Sequence, residues 1–549
     1  MEYIWLFITI AIILVSSLTV SNFTTRKKLK SRLTNSFGKI PKQRRCEFES
    51  IETYHRYKKV RLGDTNTIDD ITWDDLDMDL IFKRINSCLT SVGEEYLYDT
   101  LHNLQNEESI LLKREKLISY LEENPDDRLN LQMNLAKVGR YDYNEMASFI
   151  YNVEAKFLQY NFIYNILTLI PILSIFMIFF NKEMGFISLL FSGILNGLVY
   201  IQTKRKIERQ LPAMQYFSSI LQCLNKIFKS QKYESIPFLE ELGKSFLVFK
   251  PIKSTLSAIM KKDYSDIGII ADYINIVFLI DIRNYNKSIK RISKYREDFN
   301  TLYKTLGEVD MAISVLSFRK SLPFYSLPIF HNENSIYFED FYHPLLLNPV
   351  PNSGSVSRDS IVTGSNASGK STFIKALAIN SILAQTIYTC AAKEFNLKFS
   401  LIITSMAMRD NLAEGDSYFI SEIKSLKRIL DKVEDTICTC FIDEILKGTN
   451  TIERIAASAS VLKYVHNKDC LCITASHDIE LTHILNKKYD NYHFRELITD
   501  DGIYFDYKLK EGPSQTRNAI KLLHYMNFED EIVETAESLV ENFVTRKTW

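Results

Sequence analysis

The sequence predicts a largely all-α chain that carries three transmembrane helices and ends in an α/β domain. Three observations predict it. Long uncharged apolar runs interrupt the first third, apolar residues recur at helical spacing up to about residue 322, and from 323 onward short β-branched runs alternate with helical patterns. The 549 residues include only 17 Gly and 12 Pro, with 46% hydrophobic and 24% charged residues, which excludes a disordered, collagenous or turn-rich all-β chain. With 67 Lys+Arg against 67 Asp+Glu the formal net charge is +0, so any polyanion must be held locally rather than by a global field.

Residues 1–22 read as a transmembrane anchor. Tyr3 to Val20 contains no charged residue, and the basic cluster Arg26, Lys27, Lys28, Lys30 and Arg32 lies after the apolar run, opposite to the order in a cleaved signal peptide. A linker over 23–69 follows. Residues 70–160 form a helical domain, with Leu80, Ile81, Ile85 and then Leu97, Leu101, Leu104 at helical spacing. Residues 161–203 read as a transmembrane hairpin, Phe162–Phe180 and Met184–Ile201, joined by Asn181-Lys182-Glu183 and followed by Lys204, Arg205, Lys206 and Arg209. Positive charge after the first and third spans orients all three at once, with the hairpin tip outside and every large segment cytoplasmic. A multi-pass protein of the cell membrane is therefore expected, with the lipid bilayer as one partner.

Residues 204–322 are helical again, with Ile270, Tyr273, Ile274, Val277 and Phe278 as one apolar stripe and Lys287, Lys290, Arg291, Lys294 and Arg296 as a basic stretch that usually marks a solvated face. In the α/β domain, 323–549, Cys438 and Cys440 with Cys470 and Cys472 mimic a zinc pattern. Both pairs lie inside apolar runs, so small core residues are expected. Eight cysteines in so long a chain do not make a disulfide framework and fit a reducing compartment.

The chemistry concentrates in three places. Ile361-Val362-Thr363 leads into Gly364, Ser365, Asn366, Ala367, Ser368, Gly369, Lys370, Ser371 and Thr372, then a helical pattern: a G-x-x-x-x-G-K-S loop in its strand–loop–helix context. Glycines let backbone N–H groups wrap a phosphate, Lys370 reaches the β/γ-phosphates, and the Ser371 hydroxyl ligates Mg²⁺. A second apolar strand ends in Asp443-Glu444, with Asp443 placed for the Mg²⁺ shell and Glu444 for the attacking water as general base. A third ends in Ala475-Ser476-His477, where His477 can sense the γ-phosphate or its water. ATP and Mg²⁺ are the expected cofactors.

At these residues a family becomes recognisable. Thr363 to Thr372 resembles the T-G-x-N-x-x-G-K-S-T loop of the MutS mismatch-repair ATPases, Asp443 to Thr451 resembles D-E-I-G-R-G-T-S-T, and Ala475-Ser476-His477 resembles A-T-H. Asp410 to Phe419 with Glu422 is similar to the segment D-D-L-A-S-G-R-S-T-F…E. Upstream, Leu76 to Asn86 with Thr90 and Gly93, Leu306-Gly307-Glu308-Val309-Asp310, and His343-Pro344 resemble the family's core start and its lever-to-ATPase junction. The resemblance implies an ABC-type ATPase that hydrolyses ATP, a homodimer in which Ser417 completes the partner's site in trans, and helical arms that open and close on double-stranded DNA. Three departures stand out. No room precedes residue 70 for mismatch-reading domains, the apolar hairpin interrupts the helical core, and Asp416 and Leu446-Lys447 replace family residues. The missing reader domains and the net charge of +0 favour the alternative of a membrane scaffold or remodelling ATPase that clasps a protein partner without nucleic acid, while the residue replacements bear on dimer contacts and the rate of hydrolysis.

Overall fold

The structure, a computed structural model, describes residues 5, 20, 21, 23–42, 47–63, 66–141, 145–151, 157, 158, 161–229, 237–257, 266–365, 368–406, 418–447, 449–499, 502–514, 520, 523, 526 and 528–546. The expected first span, Tyr3–Val20, lies almost wholly outside these. Two compact units form, one from residues 1–65, 85–99 and 114–321, the other from 66–84, 100–113 and 322–549. The units are not contiguous in sequence. Residues 66–84 and 100–113, expected in or beside one helical domain over 70–160, form part of the second.

The first unit is helical. Its apolar pair is α1 (Asn161–Ile178) and α2 (Lys182–Ile207), antiparallel and joined at Asn181, whose side chain accepts the Met184 N–H at 3.1 Å. Gly185 is required at the crossing, since a Cβ there would lie 2.5 Å from the Ile178 backbone nitrogen. Ser174 and Ser188 hydroxyls meet at 2.7 Å across the pair. Lys182–Ile207 is the one described helix long and apolar enough to cross a membrane, and Phe162–Ile178 is apolar but shorter. Their outward faces are large and apolar, with Phe176 62%, Phe180 78% and Phe191 67% exposed. A third helix, α3 (Asp266–Phe278), packs against both. The buried Asn196 amide of α2 ties the three together, donating to Leu167 O at 3.0 Å and Val277 O at 2.7 Å. The expected stripe on α3 is not uniformly inward, because Tyr273 and Ile274 are exposed.

After α4 (Ile280–Lys294), the 25-residue α5 (Arg296–Lys320) runs through the unit's core. Asp310, fully buried, accepts from the backbone N–H groups of Leu89 and Thr90 and from the Thr90 hydroxyl at 2.6 Å. Gly93 and Gly307 make this closeness possible. A Cβ on Gly93 would lie 2.3 Å from Asp310 Oδ2, and one on Gly307 would lie 2.6 Å from Tyr96 Cβ. Thr90 and Gly93 thus form one junction with Gly307 and Asp310, more than two hundred residues later.

The second unit is built on a six-stranded sheet of order β12-β9-β4-β8-β7-β6. Its strands are β4 (Ser360–Thr363), β6 (Leu401–Ser405), β7 (Cys438–Asp443), β8 (Cys470–Ser476), β9 (Asp490–His493) and β12 (Lys510–Glu511). All pair parallel except β12. Strands β4, β7 and β8 are buried at every position, which explains their unbroken apolar runs and places Cys438, Cys440, Cys470 and Cys472 in the core. A second sheet, of order β1-β5-β2-β3, contains Ile329–Phe330, Ile336–Phe341, Asn352–Val356 and Glu394–Leu397 as β1, β2, β3 and β5. β10 (Glu496–Thr499) and β11 (Gly502–Phe505) make a hairpin. Among the helices that pack against the six-stranded sheet are α6 (Lys370–Ile387), α7 (Tyr418–Asp435) and α8 (Thr451–Val465).

β6 is an edge strand, and its free backbone donors need partners. They find them in the helix Asp70–Asp75. Thr404 N–H donates to Thr72 Oγ1 at 3.2 Å, Met406 N–H to Asp75 Oδ2 at 3.0 Å, and Arg428 of α7 pairs with Asp69 at 2.6 Å. This is the physical reason why residues near 70 belong with the C-terminal sheet.

Candidate nucleotide site

Register brings the predicted residues to one edge. Thr363, the last residue of β4, stands opposite Ser476 of β8, and Asp443, the last of β7, opposite Ala475. The Gly364–Gly369 loop, Asp443-Glu444 and His477 therefore all leave the carboxyl ends of three adjacent parallel strands, the place where open α/β sheets bind ligands. Gly364 has φ +139°, and a Cβ there would meet Phe494 O at 2.6 Å, so the turn admits only glycine. Gly369, at φ +101°, starts α6.

Lys370 is 1% exposed, and its ammonium donates to Gly364 O at 2.7 Å and Ser365 O at 3.0 Å. Burial pushes its pKa down, while Glu444 and Asp443 push it back up. Its Nζ also lies 3.3 Å from His477 Nε2, which lies 2.8 Å from Glu444 Oε1. The other Glu444 oxygen pairs with Lys447 Nζ at 2.8 Å. Burial raises the Glu444 carboxyl, but hydrogen bonds from His477 and Lys447 outweigh it and hold the group at about 2. Glu444 and Leu446 both adopt left-handed backbone, at φ 61° and 56°. Such strain costs on the order of 1–3 kcal/mol per residue and gathers where geometry matters more than stability. The Lys447 N–H is anchored on Glu422 Oε1 of α7 at 3.1 Å.

The residues present fit a divalent cation. Asp443 is 6% exposed, and its Oδ1 has no hydrogen-bond partner among the described residues, an orphan that a cation would satisfy. Ser371 sits half-buried in the first turn of α6. Thr372 of the same turn is exposed. Asn366, Ala367 and Ser417, all expected at the site, lie outside the described residues.

Several participants escaped the sequence reading. Ser365 Oγ is held by the Glu496 carboxylate of β10. Arg454 of α8 grips Asp478, next to His477, through two hydrogen bonds of 2.9 and 2.6 Å. The Lys447–Glu444 pair had a local signal, opposite charges three residues apart; the other two contacts had none.

Residues 360–544 match MutS domain V. That stretch begins at β4 and contains every predicted site residue. Over longer segments the chain is similar to the DNA mismatch repair protein MutS of Petrotoga mobilis, 27% identical over 273 residues, 48% of this chain and 33% of that protein. It is 29% identical over 252 residues to the one from Pseudothermotoga lettingae, covering 44% and 31%. With that of Aquifex pyrophilus it shares 28% over 255 residues, covering 44% and 29%. The chain thus aligns with about a third of each relative's length.

Proposed function

We propose that the chain is a membrane-anchored, MutS-like ATPase whose hydrolytic cycle opens and closes a dimeric helical clamp on double-stranded DNA. The observation that carries the ATPase reading is the convergence of Lys370, Asp443, Glu444 and His477 at the carboxyl edge of β4, β7 and β8, inside the stretch that matches domain V. The DNA and dimer readings rest on the likeness to the mismatch-repair proteins. The membrane reading rests on the exposed apolar faces of α1 and α2 and on the Lys204, Arg205, Lys206 cluster that ends α2. It places the hairpin tip outside and the residues that flank the hairpin on either side in the cytoplasm.

Lys370 contacts the β/γ-phosphates, exchanging its loop carbonyls for phosphate oxygens. Ser371 and Asp443 would hold Mg²⁺, which would supply neutralisation of phosphate charge there. A water is aligned by Glu444 and His477. Its oxygen attacks the γ-phosphorus, the bond to the bridging oxygen breaks, and Glu444 receives the proton once Lys447 has let it go. Hydrogen bonds from His477 and Lys447 hold the Glu444 carboxyl low, so loosening of the Lys447 contact would make Glu444 a better proton acceptor. Steady-state ATP hydrolysis by the full-length protein in detergent, with and without Mg²⁺, tests the reading. No Mg²⁺-dependent phosphate release would overturn it. Duplex-DNA binding across a salt series tests the clamp, since phosphate contacts give a steep loss of affinity with salt; a flat, weak signal would favour a protein partner, as the net charge of +0 also does.

A further inference from the structure

The geometry points to a binding site for the headgroup of an anionic phospholipid, formed where α4 meets the first turns of α1. It rests on the reading of α1 and α2 as a membrane hairpin. A pocket of about 410 Å³ lies there, lined by Asn165 of α1 and by Ile280, Arg283, Asn284, Lys287 and Lys290. Arg283, Lys287 and Lys290 fall at i, i+4 and i+7, hence on one face of α4. All three are exposed, and none has an ion-pair partner among the described residues, whereas Arg291 of the same helix is consumed by Val248 O at 2.7 Å. Three uncompensated cations converging on a concave surface are an anion site by charge alone.

What selects a lipid is the neighbourhood. The pocket abuts the apolar α1, where Phe162, Ile166 and Leu169 are exposed, so one amphiphile can place its phosphate on α4 and its acyl chains along α1. A nucleic-acid backbone offers nothing to those apolar side chains. The depth also agrees. Tyr200 OH of α2 donates to Asp281 Oδ2 of α4 at 3.3 Å, and Lys204 Nζ to Tyr200 OH at 2.7 Å, so the start of α4 lies level with the point where the apolar run of α2 gives way to lysines. That is the height of headgroups in a bilayer, and basic pockets there take acidic headgroups.

The test uses the full-length protein in nanodiscs of phosphatidylcholine alone or mixed with phosphatidylglycerol, reading bound lipid by native mass spectrometry. Wild type is expected to retain phosphatidylglycerol on the order of tenfold or more over phosphatidylcholine. The triple variant Arg283→Gln, Lys287→Gln, Lys290→Gln should lose that preference, while the charge-conserving variant Arg283→Lys, Lys287→Arg, Lys290→Arg should keep it. Extraction of the wild-type protein from cell membranes by alkaline carbonate would overturn the hairpin reading and this inference with it. Carbonate resistance without a preference for the anionic lipid would overturn the inference alone. So would equal competition by free glycerol phosphate, which makes the site one for soluble phosphate, or a triple variant that loses duplex DNA but keeps lipid.

Discussion

Glu444 is held by two partners, His477 and Lys447, and as the proposed base it would take a proton between them. Replacing Glu444 by Gln is expected to leave ATP binding intact and slow hydrolysis by about 10²-fold or more; unchanged turnover would move the base elsewhere. Lys447→Ala removes one of the two influences that depress the Glu444 pKa, so that pKa rises. Below it the carboxylate is neutral and inactive, and the acid limb of kcat/KM therefore moves to higher pH in the variant, whereas wild type should show no limb from this group above about 2. An unmoved limb would remove Lys447 from the site's electrostatics. Lys370→Ala should weaken nucleotide binding by about 10–100-fold, the worth of hydrogen bonds to a charged group, as read by calorimetry. The loop, Asp443-Glu444 and His477 were legible because each sits at the end of an apolar run, where sequence alone fixes the placement. Glu422 entered only as a point of family resemblance, and Glu496 and Arg454 act across long sequence gaps, so no local pattern could announce them.

At the scale of elements, the α1–α2 hairpin was legible as two apolar runs around three polar residues, and helix boundaries fell close to those runs. The role of Asn196 was not. An amide inside an apolar run gives no hint of which carbonyls it will reach, and here it reaches two other helices. Asn196→Leu is expected to loosen α3 from the hairpin and cost roughly 1–2 kcal/mol, read as a lower Tm in detergent; an unchanged Tm would make those contacts dispensable. The helix Asp70–Asp75 was equally hidden, because what it satisfies is a strand edge more than three hundred residues later. Upstream, Thr90, Gly93, Gly307 and Asp310 entered only as points of family resemblance; packing explains them as one junction.

For the whole molecule, the proposed dimer makes a prediction that needs no structure of Ser417. If that residue completes the neighbouring subunit's centre, Lys370→Ala and Ser417→Ala subunits are each inactive alone, yet a mixture regains hydrolysis. In a mixed dimer the intact loop of the Ser417→Ala chain faces the intact Ser417 of its partner. Substantial activity from Ser417→Ala alone would contradict the shared site. The second unit carries a different consequence. Its sheet is closed by residues 66–84, which precede α1, and its strands come from residues that follow α5. Two stretches that share one hydrogen-bonded edge cannot lie on opposite faces of a bilayer, so the chain between them must traverse it an even number of times, zero included. α2 can therefore never be a solitary crossing. Parity requires a second crossing beside α2, which the antiparallel α1 or the apolar α3 could supply, or obliges α2 to stay out, and a cysteine placed at Asn181 and probed with an impermeant reagent in intact cells tests whether α1 is the one.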